Sequence, residues 1–209
     1  SPLLLYLAAA GIGTLGIVDD DVVDLSNLQR QVLHDTANIG MAKVESARRR
    51  LAEINPEVTV EAHNQRLSPD NALDLIARYD LVADGSDNFP TRYALNRLAH
   101  KTGRAMVHGA AAGWNGQVSV FTSGLQADAP CYQCWVPETP PDAEACDEVG
   151  VVGALTGMTG TAMAMETVKL ITGAGKPLIG RVLLMSGLGG ESRTVTLRRD
   201  PACPVCAIR

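Results

Sequence analysis

Apolar and polar residues alternate along the first half of the chain in two rhythms. Short apolar runs at 15–18, 58–61, 81–83 and 105–108 have the length and character of strands. Between them the spacing turns helical: 42–54 carries Val44, Ala47, Leu51 and Ile54 on one face, and 71–78 and 89–101 read as two more helices. An opening helix is marked by Ser1 as N-cap, Pro2 at its first position and Gly11 at its end. Strand, helix, strand, repeated in this way, predicts a mostly parallel sheet covered by helices, a Rossmann-like α/β arrangement.

The rhythm changes after residue 107. Segments 107–112 and 117–122 flank Trp114-Asn115-Gly116 and read as a hairpin around an Asn-Gly turn. A helix rich in small residues is expected at 153–171, with late strands at 182–185 and 194–197, so antiparallel strands should extend the parallel sheet. The proline- and acid-rich segment 137–148 reads as a crossover loop, and there are no internal repeats. The 209 residues, 46% of them hydrophobic, suffice for the core of one domain, 1–209.

Charge narrows the function classes. A net charge of -5 and a pI near 5.3 argue against nucleic-acid partners, since duplex binding rests on basic patches that neutralise phosphate. The one basic cluster, Arg48-Arg49-Arg50, falls on the solvated face of a helix. The apolar segment 3–10 is well short of the roughly 20 residues a membrane span needs. No basic region or cleavage pattern marks export, so a cytoplasmic location and no membrane partner are expected.

Gly11-Ile12-Gly13-Thr14-Leu15-Gly16 matches a dinucleotide fingerprint in form only. That motif must follow a strand and open a helix, so that pyrophosphate meets the helix N-terminus, whereas these glycines close a helix and open a strand. The helix with the fitting N-terminus is the one starting at Ser1.

The cysteines carry the strongest chemical signal. Cys131 and Cys134 form one CxxC pair and Cys203 and Cys206 another, and four thiolates close a tetrahedral structural zinc site with no open position for chemistry. Such a site would tie the C-terminal segment to the body of the domain. Cys146 stands alone among Asp142, Glu144, Asp147 and Glu148, whose charges disfavour its thiolate while a nearby helix N-terminus would favour it, and by itself reads as an ordinary loop cysteine.

Two acids sit where open α/β sheets bind ligands, beyond the carboxyl ends of strands. Asp19 ends the run at 15–18 and can accept hydrogen bonds from ribose hydroxyls; Asp87 follows the run at 81–83 and can hold Mg²⁺. Arg30 offers a planar fork for phosphate and Lys43 a mobile point charge. A ribose acid, two phosphate cations and a metal acid together suggest a nucleoside triphosphate. Singly, each also reads blandly: Asp20 and Asp21 as solvated turn acids, Arg30 as a surface charge, Lys43 as helix decoration.

The segments DLSNLQRQVLH, IGMAKVESA, GSDNFPTRYALN, GQVSVF, PCYQC and PACPVC follow one another as they do in the ThiF, MoeB and HesA family of ubiquitin-activating-like adenylyltransferases. The resemblance spans essentially the whole chain and is strongest to the sulfur-carrier adenylyltransferases of molybdopterin and thiamine biosynthesis. It implies adenylation, by ATP with Mg²⁺, of the C-terminal glycine of a small ubiquitin-like sulfur-carrier protein, with release of pyrophosphate. It implies a ribose ligand in Asp19, a nucleotide-binding string in Ser26, Asn27, Gln29 and Arg30, and a phosphate lysine in Lys43. Asp87 and Asn88 fall at the metal and adenylate site, and Cys131, Cys134, Cys203 and Cys206 at the zinc ligands. Cys146 falls where several members carry a cysteine that links covalently to the carrier.

The resemblance also implies a homodimer, for which the helix containing Met158, Met163 and Met165 is the candidate face, and it leaves room for a sulfurtransferase or cysteine desulfurase as a further partner. It divides the domain into a nucleotide-binding part, 1–112, and a carrier-binding, zinc and dimerisation part, 113–209. The family's first strand and glycine-rich loop belong directly before Ser1, so the nucleotide-binding part is expected here without them. Two other readings stand beside this one: an NAD(P)-dependent oxidoreductase on the same fold, against which the absence of a hydride-transfer dyad speaks, and a non-catalytic, zinc-stapled interaction module.

Overall fold

A computed structural model describes residues 1–141 and 150–207. Helix α1 (Pro2–Ala9) ends where Gly11 takes φ +79°, and Ile12 N–H reaches back to Leu7 O at 3.1 Å. The chain then enters strand β1 (Thr14–Val18), so the glycine-rich stretch is a helix end leading into a strand, as its order in the sequence requires. Helix α2 (Lys43–Ile54) buries Val44, Ala47 and Leu51, and strand β2 (Thr59–His63) pairs parallel to β1 from Thr14↔Thr59 to Val18↔His63. Leu7, Ala8, Leu15, Ala47, Leu51 and Val58 close the first core.

Helix α3 (Pro69–Ala77) opens with a capping box between Ser68 and Asn71. Strand β3 (Leu81–Asp84), helix α4 (Phe89–Thr102) and strand β4 (Ala105–Ala112) follow, with β3 and β4 parallel from Leu81↔Ala105 to Asp84↔His108. Strand β5 (Asn115–Phe121) begins the antiparallel extension. The short helix α5 (Tyr132–Trp135) and the long helix α6 (Gly153–Thr172) precede strands β6 (Arg181–Ser186) and β7 (Glu191–Thr196). The strands form two sheets, β1-β2 and β3-β4-β5-β6-β7. The chain is therefore α/β, with parallel pairs early and antiparallel pairs late.

The hairpin turn differs from its prediction. Ala112 pairs with Asn115, which leaves Gly113 and Trp114 as the two loop residues and puts Asn115 and Gly116 inside β5. Gly113 supplies the positive φ, +53°, that a two-residue turn of the II′ kind needs at its first central position. Its N–H is also bound by Gly150 O at 2.9 Å, and its carbonyl accepts from Val152 N–H at 3.1 Å.

Helix α6 packs on β4 and β5 through Leu155 and Met163, which meet Val107, Val118 and Val120. Met163 is thus core, while Met158 and Met165 are 51% and 60% exposed on another face of the same helix. On a second core, Met106, Phe121, Tyr132, Leu95 and Ala99 pack together. No helix among the described residues is long and apolar enough to cross a membrane.

Candidate functional site

Strand β1 delivers its last residue directly to Asp19, whose N–H is bound by His63 O at 3.3 Å across the sheet. The Asp19 carboxylate accepts Asp21 N–H at 2.9 Å, which turns the chain back towards α2. Asp20 and Asp21 are exposed. Asp21 is more than a turn acid: its Oδ2 lies 2.7 Å from Lys43 Nζ, and Lys43 is buried at the start of α2. Lys43 is therefore a held cation, not helix decoration. His34, bonded to Ser46 Oγ at 2.8 Å, titrates below its ordinary value, mainly through burial; Lys43 pushes the same way and Asp19 opposes it. Asp19, His34 and Lys43 share one electrostatic neighbourhood.

The polar string after these acids is folded by its own side chains. Asp24 accepts Ser26 N–H at 2.8 Å and Ser26 Oγ–H at 2.5 Å, bonds that hold its carboxyl below the usual range and cap a short 3₁₀ turn. Arg30 donates to Asn27 Oδ1 at 2.7 Å and to Ser26 O at 3.4 Å. Gln29 donates to Val151 O at 3.2 Å, and a Cβ on Gly153 would lie 2.0 Å from Gln29 O. Only glycine lets the string seat against the first residue of α6. Neither Gly153 nor the Asp21–Lys43 pair stood out in the sequence, because each contact joins segments far apart in the chain.

The second acid is supported differently. Strand β3 ends at Asp84, which is buried, and the chain passes through Gly85 and Ser86 to an exposed Asp87. Asp84 Oδ1 accepts Ser86 N–H at 3.0 Å and Ser86 Oγ–H at 2.7 Å, while its Oδ2 accepts from His108 Nδ1 at 2.8 Å. Burial alone would raise the Asp84 carboxyl, but the bonds from His108 and Ser86 outweigh it and hold the carboxyl below the usual range. Arg92 donates to Ser86 O through Nε at 3.1 Å and Nη2 at 2.8 Å. Asn88 Oδ1 caps α4 by accepting Thr91 N–H at 3.0 Å, and its Nδ2 donates to Asp87 Oδ1 at 3.2 Å.

The four cysteines come together from both ends of the late half. Sγ separations are 3.9 Å for Cys131–Cys134, 3.5 Å for Cys131–Cys203 and 3.4 Å for Cys134–Cys206, and the four atoms all lie within 4.8 Å of one another. Four sulfurs bound tetrahedrally to one zinc ion at its usual bond length sit about 3.8 Å apart, so the donor set fits that ion. Burial pushes the Cys131 thiol up and the Cys206 thiol up to about 11, so a bound cation would have to displace their protons. Asn96 Nδ2 and Asp200 N–H reach Cys131 Sγ and Cys134 Sγ at 3.5 and 3.4 Å, the kind of outer contact that orients thiolate ligands.

The described contacts thus join Asp19, Asp21 and Lys43, with His34 in their field; join Ser26, Asn27 and Arg30, with Gln29 seated instead on α6; and join Asp84, Asp87, Asn88 and Arg92 around Ser86. No hydrogen bond links the first group to the third among the described residues. Cys146 lies outside the described residues.

A sequence model of the ThiF family matches residues 1–205. The sulfur carrier protein adenylyltransferase of Thermus thermophilus is 46% identical over 209 residues, covering 98% of this chain and 77% of that protein. The probable adenylyltransferase/sulfurtransferase MoeZ of Mycobacterium tuberculosis is 47% identical over 210 residues, and the adenylyltransferase and sulfurtransferase MOCS3 of Bos taurus is 46% identical over 211. The chain spans about half of these two proteins, 53% and 46%. Among solved structures, Escherichia coli MccB with ATP superposes with a TM-score of 0.84 at 18% identity, over 99% of this chain and 63% of that one. At that identity the likeness is one of fold.

Proposed function

The chain belongs to the ThiF family, and on that premise we propose that it adenylates the C-terminal glycine of a small ubiquitin-like sulfur-carrier protein. The observation that carries this reading is 46% identity, over nearly all of the chain, to a protein named for that activity. The reaction joins a carboxylate oxygen of the carrier to the α-phosphorus of ATP, breaks the bond from that phosphorus to the bridging oxygen, and releases pyrophosphate. The product is an acyl-adenylate ready for sulfur transfer in molybdopterin- or thiamine-type biosynthesis.

A carboxylate is a weak nucleophile and the phosphates repel it, so positioning and charge compensation supply most of the rate. Asp19 accepts from the ribose hydroxyls. Ser26, Asn27 and Gln29 line the nucleotide, and Arg30 and Lys43 offset charge on the phosphoryl oxygens. Asp87, beside Asn88, would hold Mg²⁺, which lowers the repulsion between carboxylate and phosphates when bound. Cys131, Cys134, Cys203 and Cys206 would hold zinc, whose closed coordination makes it a staple. Cys146 is proposed to meet the carrier's tail. These roles divide the domain into a nucleotide half, 1–112, and a carrier, zinc and dimer half, 113–209.

The dimer reading rests on α6. Met158 and Met165 leave an apolar stripe on its outer face, which a second copy of the chain would cover. A reduced four-thiol cluster suits the cytoplasm, where disulfides are rare. Carrier-dependent exchange between ATP and pyrophosphate, measured on the full-length protein, tests the activity. The expected result is exchange that needs a carrier ending in glycine; an intact protein that exchanges with no sulfur carrier would overturn the reading.

A further inference from the structure

His108 sits on β4 directly opposite Asp84, in the register that pairs the two strands. It is 1% exposed, and its ring lies against Tyr132 and Phe121 at centroid distances of 4.7 and 6.3 Å. Nδ1 is engaged by Asp84 at 2.8 Å, while Nε2 is buried without a hydrogen-bond partner among the described residues. A buried ring nitrogen with no partner lowers stability, and an aliphatic side chain would fill the same space among the rings without that penalty. What the histidine adds is the contact at Nδ1.

That contact acts on Asp87 through one intermediate residue. With Nδ1 donating to Oδ2, the Asp84 carboxylate is fixed in rotation, and its Oδ1 faces Ser86 N–H and Oγ–H. Ser86 is then gripped from both sides, by Asp84 at its N–H and hydroxyl and by Arg92 at its carbonyl. The following residue but one, Asn88, is tied down as the cap of α4. Asp87 is exposed between these two anchored neighbours, so its backbone has little freedom before any ligand arrives.

We propose that His108 is a positioning residue: by orienting Asp84 it locks the Ser86 turn and so presents the Asp87 carboxylate in a fixed direction to the nucleotide and its cation. The value of that direction for catalysis rests on the adenylation reading above; the locking of the turn does not. His108 touches no reacting atom. It substitutes a buried, ready-made hydrogen bond for ordering that ligand binding would otherwise have to supply.

The test compares His108→Asn, whose amide stands close to the Nδ1 position and can still donate to Asp84, with His108→Gln, whose amide lies near the Nε2 position. Two readouts are taken on the full-length protein: amide hydrogen exchange at Ser86, and the Mg²⁺ dependence and kcat of carrier-dependent ATP–pyrophosphate exchange. Expected are a rise of about tenfold or more in Ser86 exchange, a kcat at least tenfold lower and a higher half-saturating Mg²⁺ concentration for His108→Gln, with carrier KM unchanged. His108→Asn should stay within about threefold of the parent. Equal Ser86 exchange in the parent and both variants would overturn the proposal, as would losses in both that track only their global unfolding. If the parent shows no exchange activity, the adenylation reading fails, and Ser86 protection still decides the locking of the turn. Should His108→Gln not fold, Ser86→Ala, which removes the hydroxyl contact alone, is expected to give the same pattern at smaller size, and an unchanged Mg²⁺ dependence there would overturn the proposal.

Discussion

Two stretches leave the carboxyl ends of strands carrying acids, and they are held in opposite ways. Within the stretch from Asp19 to Lys43 most side-chain bonds are short-range and reach the surface: Asp24 to Ser26 and Asp19 to the N–H of Asp21 are exposed and Arg30 to Asn27 is half-buried, while Lys43–Asp21 and Gln29–Val151 tie its ends and middle to other segments. The stretch from Asp84 to Asn88 is fastened from behind by a buried carboxylate, a buried histidine and Arg92. Behind it the support continues, since Asn96 Oδ1 accepts Tyr132 N–H at 2.8 Å and Asn96 Nδ2 faces Cys131 Sγ. Side chains held mostly by local bonds near the surface can rearrange around a bound ligand at small cost. A turn backed by buried polar groups is already set, and its contacts weigh more because every unmade bond there is penalised. On the roles proposed above, the contrast suits a nucleotide-binding string that adapts to its ligand and a metal acid that is set beforehand.

The largest expected disruption removes the support behind the rigid stretch. Cys203→Ser, or treatment with a strong chelator, should lower the thermal midpoint by well over about 10 °C, because structural zinc contributes on the order of 10 kcal/mol of binding to the folded state. Calorimetry alongside metal analysis checks this, and a protein that contains zinc yet melts unchanged without it would break the idea of a staple.

Next in size is the difference between the two carboxylate pairs. Asp84→Ala strands His108 and Ser86 in a buried site and should cost about 3 kcal/mol in urea unfolding. Asp21→Ala, whose carboxylate is 68% exposed, should cost no more than about 1 kcal/mol. The pH dependence has a definite sign. Asp84's carboxyl titrates lower in the folded protein than in the unfolded chain, so its contribution is present above the unfolded value, near 4, and is lost as pH falls through the folded one. Asp84→Asn should therefore flatten the acid limb of the stability profile, and a limb as steep as the parent's would refute the assignment.

The same contrast explains what was legible in the sequence. Val44, Ala47 and Leu51 mark a helix face by local spacing, and the paired CxxC motifs mark their cluster because four thiolates have few other uses. Asp19 and Asp87 could be located because they follow strands, and strand ends are local features. The hairpin was expected around Asn115-Gly116, but strand register, a tertiary property, places the turn at Gly113-Trp114 instead. The Asp21–Lys43 pair, the seat of Gln29 on Gly153 and the Asp84–His108 contact join residues whose distance along the chain hides their meeting. Met163 and Met165 illustrate the limit on one helix: composition puts both in an apolar segment, yet only packing decides that one is core and the other surface.

On the side held by local bonds the expected effects fall on binding, not on folding. Asp19→Ala should raise the ATP KM by roughly tenfold, the worth of a hydrogen bond or two to ribose, with little change in kcat. Steady-state kinetics separate the two. A fall in kcat with unchanged KM would place Asp19 with the rigid acid and erase the distinction between the stretches.

The smallest effect concerns a contact between the segment before β3 and the β1-β2 sheet. Tyr79 lies just before β3, but its ring covers Gly16 of β1, where a Cβ would lie 2.2 Å from the ring, and its hydroxyl donates to Glu61 Oε2 of β2 at 2.6 Å while receiving His63 Nε2–H at 2.9 Å. Burial, reinforced by the bond to Glu61, pushes the phenol up to about 12. Because the folded state keeps this proton longer than the unfolded chain, the stabilisation is complete below pH 10 and drains away as pH rises from 10 towards 12. Tyr79→Phe keeps the ring over Gly16 and should lose about 1 kcal/mol at neutral pH, yet match the parent more closely above pH 11. Convergence of the two unfolding curves in alkali is the signature to seek. No gap at any pH would mean that the ring alone carries this contact, and a constant gap that the phenol titrates alike in the folded and unfolded chain.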